Sequence, residues 1–320
     1  MLPLHHVVQD DFSAVNDLII RQLHSDVGLV ENIGHYLVEA GGKRLRPLMV
    51  LLTANAMGYQ QKHHLDLAAI IEFIHTATLL HDDVVDMSSL RRGRATANAK
   101  WGNAPSVLVG DFLYSRAFQM MVAIGDMEIM AILSSATNRI SEGEVQQLTN
   151  ARNPEIDEAT YFTVIDKKTA VLFAAACEVA AVLTNATDVQ RQALKAYGHH
   201  VGMAFQLVDD ALDYTGDAET LGKNVGDDLA EGKPTLPLIY AMKTGTAAQA
   251  ELIANAIREG DAGQLQNILA IVQDTGAMEY TLNAARQHVA AAQKQLETLP
   301  ASDYSKAMFE VAAFALARTF

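Results

Sequence analysis

The chain has 320 residues, half of them hydrophobic but only 6% aromatic, and its dominance of Ala and Leu favours packed helices over sheets. Its 38 acidic and 24 basic side chains leave a net charge of −14, which argues against a nucleic-acid partner. The single cysteine, Cys177 in an Ala-rich apolar run, rules out an intrachain disulfide and a cysteine-based zinc cluster and fits a reducing cytoplasm.

The opening MLPLHHVVQDDF lacks the basic start and apolar core of a signal peptide, and no run of about 18 uncharged apolar residues follows. A soluble, cytoplasmic, all-α protein is expected. The slightly positive mean hydropathy asks for a large interior, an apolar ligand cavity or a buried subunit interface. Composition does not choose among these.

In chain order, apolar periodicity predicts helices over roughly 11–39, 45–56, 65–86, 104–124, 127–151, 158–182, 189–214 and 236–243, with several more toward Phe320. Breaks are expected at Gly41-Gly42, at Arg92-Gly93-Arg94, at Gly102 and across the polar segment from Thr215 to Pro237. No Pro-rich or Ser/Gly linker separates two halves, so one domain over 1–320 is expected.

One internal echo stands out. IEFIHTATLLHDDVVD ends at Asp86 and VGMAFQLVDDALD ends at Asp213, each an apolar helix closing on Asp-Asp-x-x-Asp. Positions i and i+4 of a helix share a face while i+1 lies about 100° round, so Asp82 and Asp86 point together and Asp83 diverges. Asp209, Asp213 and Asp210 repeat the arrangement. Three carboxylates in one turn repel unless a cation offsets them, and oxygen-only donors suit a hard ion such as Mg²⁺. A lone motif of this kind is equally well a solvated helix end; a repeated one on two core helices is not.

Basic residues stand where a diphosphate needs them. Gly41-Gly42-Lys43-Arg44-Leu45-Arg46-Pro47 sets cations at a glycine break and a helix start, where free N–H groups also favour anions. Arg91, Arg92 and Arg94 follow Asp86 closely, and guanidinium forks match phosphate oxygens. Both segments read alternatively as solvated loops. His75, two turns before Asp82 on nearly the same face, is a phosphate ligand or a hydrogen-bonded core histidine. Gln206, three residues before Asp209, turns its amide to the same cavity or bonds between helices. Lys168-Thr169 interrupts an apolar helix, and a cation there is costly without an anionic partner. Lys223 and Lys233 lie in the loop after the second motif, where lysines are often only solvated.

These motifs, GGKRLRP, LLHDDVVD with RRG, GDFL, GEVQQL, KKTA, FQLVDDALD and GKNVGDDLAEGKPTLPL, resemble the trans-isoprenyl diphosphate synthases in order and spacing from about Asp11 to past Tyr240. The resemblance is strongest to the bacterial octaprenyl-type members that supply the ubiquinone side chain. It implies a single-domain helical bundle around a deep central apolar cavity, a homodimer, and two aspartate motifs facing each other across the mouth.

Carried over by position, Asp82, Asp86 and Asp209 hold Mg²⁺, three ions per site together with substrate diphosphate, and Asp83, Asp210 and Asp213 support them. Arg91, Lys168, Thr169 and Lys223 match positions that contact the allylic diphosphate or the forming cation. Lys43, Arg46, His75 and Arg92 match the isopentenyl diphosphate site, and Gln206 the glutamine at the reaction centre. The implied product is a long all-trans polyprenyl diphosphate built from farnesyl diphosphate, with transient membrane contact for its release. Such chemistry is electrostatic, because charge develops on the leaving diphosphate as the allylic bond breaks.

Chain length is then set by depth, with each isoprene unit taking roughly one helical turn, about 5 Å. Ala77 and Thr78, small residues just before Asp82, read as an open floor, and Met121, rather than Phe118 or Met120, as the lower stop. Ala77→Phe is expected to shorten the product. Three other readings remain: a geranylgeranyl or farnesyl diphosphate synthase, a metal phosphohydrolase using His81-Asp82, and a non-catalytic prenyl-binding subunit.

Overall fold

The structure, a computed structural model, describes residues 3–214 and 225–317. The chain is all-α: among the described residues the only sheet is a hairpin of two residues per strand. It divides into two compact units, one of Met1–Thr137, Leu172–Gly198 and Gln293–Val311, the other of Asn138–Val171, His199–Ala292 and Ala312–Phe320.

The first unit contains α1 (Gln9–Gln22), α2 (Gly28–Glu39), α3 (Leu45–Ala56), α4 (His63–Val85), strands β1 (Leu90–Arg91) and β2 (Arg94–Ala95), α5 (Ala97–Trp101) and α6 (Asn103–Ile124). Helix α4 is its axis, with α1, α3 and α6 packed on it. That is why Leu67, Ala68, Ala69, Ile70 and Ile71 are all fully buried although they point all round the helix. Each such Leu or Ile contributes about 2 kcal/mol relative to an exposed one.

The single helix expected over 11–39 is two. Apolar spacing continues through Val27, Leu29 and Val30, so periodicity misses the break. Glu31 makes it: its carboxylate accepts from the Ser25 N–H at 3.1 Å and lies 2.7 Å from His24 Nδ1, closing the chain before α2. Helix α6 is capped by Gly102 and Gly125, the latter left-handed with φ 76°. By length and composition α6 is apolar enough to span a membrane, yet it carries Asp111 and Arg116. A third of its apolar window is buried in the protein.

Helix α7 (Met127–Asn150) starts in the first unit and ends in the second, which then takes α8 (Glu158–Ile165) and a π-helical turn over Asp166–Ala170. Helix α9 (Val171–Leu183) and the start of α10 (Asp188–Leu212) belong mainly to the first unit, and the end of α10 to the second. The second unit continues with α11 (Asp227–Ala230), α12 (Leu236–Thr244), α13 (Ala247–Glu259), α14 (Leu265–Asp274) and most of α15 (Ala277–Gln295). Helix α16 (Asp303–Ala317) closes the described chain. Asp157 caps α8 by accepting from the Thr160 N–H at 2.8 Å, and Thr246 with Gln249 forms a capping box at α13. One core cluster of the second unit gathers Tyr161, Ile165, Met203, Leu207 and Val208, placing the end of α10 against α8.

Candidate active site

The first acidic motif closes α4. Asp82 and Asp86 keep part of their surface exposed, one turn apart, whereas Asp83 is buried. Asp83 is not left bare: Arg91 Nε and Nη2 both donate to its Oδ1, at 2.8 and 2.7 Å. The hairpin supplies that arginine. Arg91 pairs with Arg94 across the ladder, so Arg92 and Gly93 are the two turn residues, and both have positive φ, 55° and 72°. This is the turn whose twist suits a tight hairpin. Arg92, an unusual residue at positive φ, turns its guanidinium onto the Gly41 carbonyl, joining the hairpin to the loop before α3. Tyr36 holds the other strand, donating to the Ala95 carbonyl at 2.7 Å beneath the Arg94 guanidinium.

The glycine break behaves as expected. Gly41 and Gly42 have positive φ, and so does Arg44, at 43°, just before α3. Lys43 is exposed. Arg46 lies over the Phe173 ring, 4.2 Å from its centroid, with Nη1 3.2 Å from His75 Nε2. Burial, reinforced by Arg46, Arg92 and Arg91, holds His75 well below its ordinary pKa. The ring is therefore neutral near pH 7, with Nε2 accepting from Arg46 and the proton on Nδ1.

Sequence reasoning missed Glu72 on the same face of α4. Its carboxylate sits 3.9 Å from Arg44, and its pKa is raised by burial against the pull of Arg44, Arg46 and Arg92. A charged residue inside an apolar helix, the signal used for Lys168, would have found it. His81 is directed elsewhere: Nε2 lies 3.2 Å from the Val107 carbonyl and 3.3 Å from Asp111 on α6. That placement removes the motivation for a phosphohydrolase built on His81-Asp82.

The second motif closes α10. Asp209 is part-exposed, while Asp210 and Asp213 are buried. Asp210 Oδ2 accepts from the Tyr161 hydroxyl at 2.6 Å and Oδ1 from the Gln206 amide at 2.7 Å; Gln206 Oε1 accepts from the Thr169 hydroxyl at 2.8 Å. Burial and the neighbouring Asp228 push Asp210 up, against the Tyr161 and Gln206 hydrogen bonds that favour its charged form. Asp213 accepts from the Asp228 N–H at 3.1 Å, which anchors α11.

Lys168 and Thr169 ride on the π turn, a widened helical turn often found at functional positions. The anionic partner that Lys168 requires is Glu144 of α7, at 2.7 Å. Gly143 beside it lets the helices touch, since a Cβ there would meet the Lys168 backbone nitrogen at 2.8 Å. A cavity in this unit is lined by Gln147, Tyr161, Lys168, Gln206, Asp228 and Lys233. Lys223 lies outside the described residues. Among the described residues no group of three or more His, Cys, Asp or Glu side chains forms a ready-made metal cage.

Of the chain-length candidates, Ala77 and Met121 are buried, and Thr78 is part-exposed with its hydroxyl donating to the His75 carbonyl at 2.7 Å.

The profile of the family described as Polyprenyl synthetase matches residues 27–274. The chain belongs to that family. An octaprenyl diphosphate synthase of Haemophilus influenzae is 48% identical over 99% of this chain and 97% of its own length. An all-trans-nonaprenyl-diphosphate synthase of Rhodobacter capsulatus is also 48% identical, covering 97% and 96%. A polyprenyl synthase from Caulobacter crescentus, crystallised with calcium and isoprenyl diphosphate, superposes with a TM-score of 0.96 at 45% identity, covering 99% of this chain and 97% of that one. As a member, the protein is a trans-polyprenyl diphosphate synthase enzyme.

Proposed function

We propose that the protein condenses isopentenyl diphosphate onto an allylic diphosphate, farnesyl diphosphate by preference, to make all-trans octaprenyl diphosphate for a quinone side chain. The observation that carries this reading is the division of the six motif acids. Asp82, Asp86 and Asp209 keep exposed surface, while Asp83, Asp210 and Asp213 are buried, the first two on Arg91, Tyr161 and Gln206. The part-exposed three are oxygen donors suited to Mg²⁺, which binds few protein carboxylates and completes its shell with water and phosphate. They would hold the ions, three per site, and magnesium when bound neutralises charge on the leaving diphosphate.

The chain's own residues divide the remaining work. Arg91, Lys168 and Lys223 receive the allylic diphosphate, while Lys43, Arg46, Arg92 and neutral His75 receive isopentenyl diphosphate. Thr169 and Gln206 stand at the reaction centre. As the allylic C–O bond breaks, its electron pair leaves with diphosphate. The isopentenyl double bond then forms the new C–C bond, and a proton passes to the departed diphosphate as a new double bond closes. Stabilising charge along that path is the main demand on the protein.

Ala77, Thr78 and Met121 are assigned to chain length. A homodimer through α6 is supported by its outward Leu108 and Val122, 66% and 65% exposed. A cytoplasmic enzyme with transient membrane contact for product release completes the reading.

The test incubates the protein with Mg²⁺, farnesyl diphosphate and radiolabelled isopentenyl diphosphate and resolves dephosphorylated products by length. A ladder ending at octaprenol is expected. A labelled product stopping at geranylgeraniol would make it a shorter-chain synthase, and labelled farnesol formed only when geranyl diphosphate is the primer would make it a farnesyl diphosphate synthase. Absence of Mg²⁺-dependent incorporation would leave a non-catalytic prenyl-binding subunit.

A further inference from the structure

We infer that Tyr161, which no motif singles out, is the positioning residue that fixes the amide of Gln206 at the reaction centre, acting through Asp210. This rests on the proposed prenyltransfer reading. Four side chains from three elements form one hydrogen-bonded chain in the second unit that converges on Asp210. The Tyr161 hydroxyl on α8 donates to Asp210 Oδ2, the Gln206 amide nitrogen donates to Asp210 Oδ1, and the Thr169 hydroxyl on the π turn donates to Gln206 Oε1, at 2.6, 2.7 and 2.8 Å.

An amide has one donating and one accepting end, and nothing intrinsic to Gln206 decides which faces Thr169. Asp210 decides it. Its Oδ2 accepts from Tyr161 and its Oδ1 from Gln206, so the NH₂ end turns toward Asp210 and the carbonyl is left for Thr169. The phenol makes that arrangement stable, because it occupies the second oxygen from a buried position and stops the carboxylate from swinging. Gln206 and Asp210 stand one helical turn apart on α10, so their mutual placement costs no loop ordering. The same engagement leaves Asp210 committed within the protein, while Asp209 beside it keeps part of its surface exposed. Tyr161 also packs between Ile165, Met203 and Leu207, so its ring position is set by the core whether or not the hydroxyl is present.

The decisive experiment is Tyr161→Phe, alone and on a Gln206→Ala background. The single variant should lose about tenfold in kcat, the worth of one buried hydrogen bond, with KM for isopentenyl diphosphate unchanged. On the Gln206→Ala background the same change should cost nothing further in kcat, although both backgrounds lose the same thermal stability. Retained kcat, or a loss that adds in full to that of Gln206→Ala, would overturn the inference. Should Tyr161→Phe not fold, Asp210→Asn carries the same expectation. If the unaltered enzyme incorporates no isopentenyl diphosphate, the prenyltransfer reading fails by itself. The relay is then judged by the side-chain amide resonances of Gln206, whose exchange protection must fall in Tyr161→Phe; unchanged resonances would refute it.

Discussion

The two acidic motifs have one sequence pattern and two solutions to the same electrostatic problem. Each buries the acid that diverges from the outer pair. In the first unit Asp83 receives a permanent cation, Arg91, delivered by a hairpin. In the second unit Asp210 receives two neutral donors, Tyr161 and Gln206, while burial and Asp228 push its pKa up. A repeated motif therefore does not imply a repeated environment. The first is braced by charge, the second by directional hydrogen bonds that end on residues assigned to the reaction centre.

The largest effects should come from the acids that keep exposed surface. Asp82→Asn and Asp209→Asn should each lower kcat by about 10³-fold or more, since each removes a site of charge stabilisation for the leaving group. Neither should lower the melting temperature of the metal-free protein, because both side chains keep exposed surface. A variant that unfolds without losing specific activity would reverse the assignment. Chelation of divalent metal should abolish turnover without unfolding, and Mg²⁺ should restore it.

Asp83 sets the next scale of effect. Asp83→Ala strands the Arg91 guanidinium, which is 37% exposed, so the loss is that of charge-assisted hydrogen bonds reaching solvent on one side, about 2 kcal/mol. Urea unfolding measures it. An unchanged midpoint would show that Arg91 finds solvent easily and that the first motif is not charge-braced.

Ala77→Phe tests the first unit in another way. Ala77 has no exposed surface, so a phenyl ring there must displace neighbours on α4 or α6, an overpacking that costs about 1–3 kcal/mol. The expected products are shorter than octaprenyl. Shortened products with a modestly lowered melting temperature support a ruler along α4, whereas a destabilised enzyme with full-length products would place the ruler elsewhere.

The sequence was most legible where one principle acts alone. The helices at 45–56, 104–124 and 127–151 were readable to within a residue, because their apolar spacing is unbroken and glycine marks several ends. The motif acids and basic loops were legible because charge in an apolar helix is conspicuous. What escaped reading depends on partners and backbone conformations that apolar periodicity does not register. The split between α1 and α2 is made by Glu31 reaching back, and the hairpin needs a left-handed Arg92 that propensity disfavours. Tyr161 carries no signal of its own, since a lone tyrosine in an apolar helix looks like core until Asp210 is placed beside it.

The smallest expected effect concerns the histidines of the second unit. His200 Nδ1 lies 2.9 Å from His288 Nδ1, and the His199 ring stacks edge-on to His200 while its Nε2 bonds Asp166 at 2.9 Å. Burial, with His200 and His199 nearby, lowers His288 to about 4. In the unfolded chain the same ring takes a proton near pH 6.5. Between these values the unfolded state binds more protons than the folded one, so stability must fall as pH drops from about 6.5 to about 4 and level off below. Because His288 is partly solvated, the slope should be shallow. His288→Gln keeps a hydrogen-bonding group without the titration, and its melting temperature should decline less over that window. An equal decline in both proteins would place the acid sensitivity in the carboxylates, and the second unit would then owe its pH dependence to the same kind of group as the first.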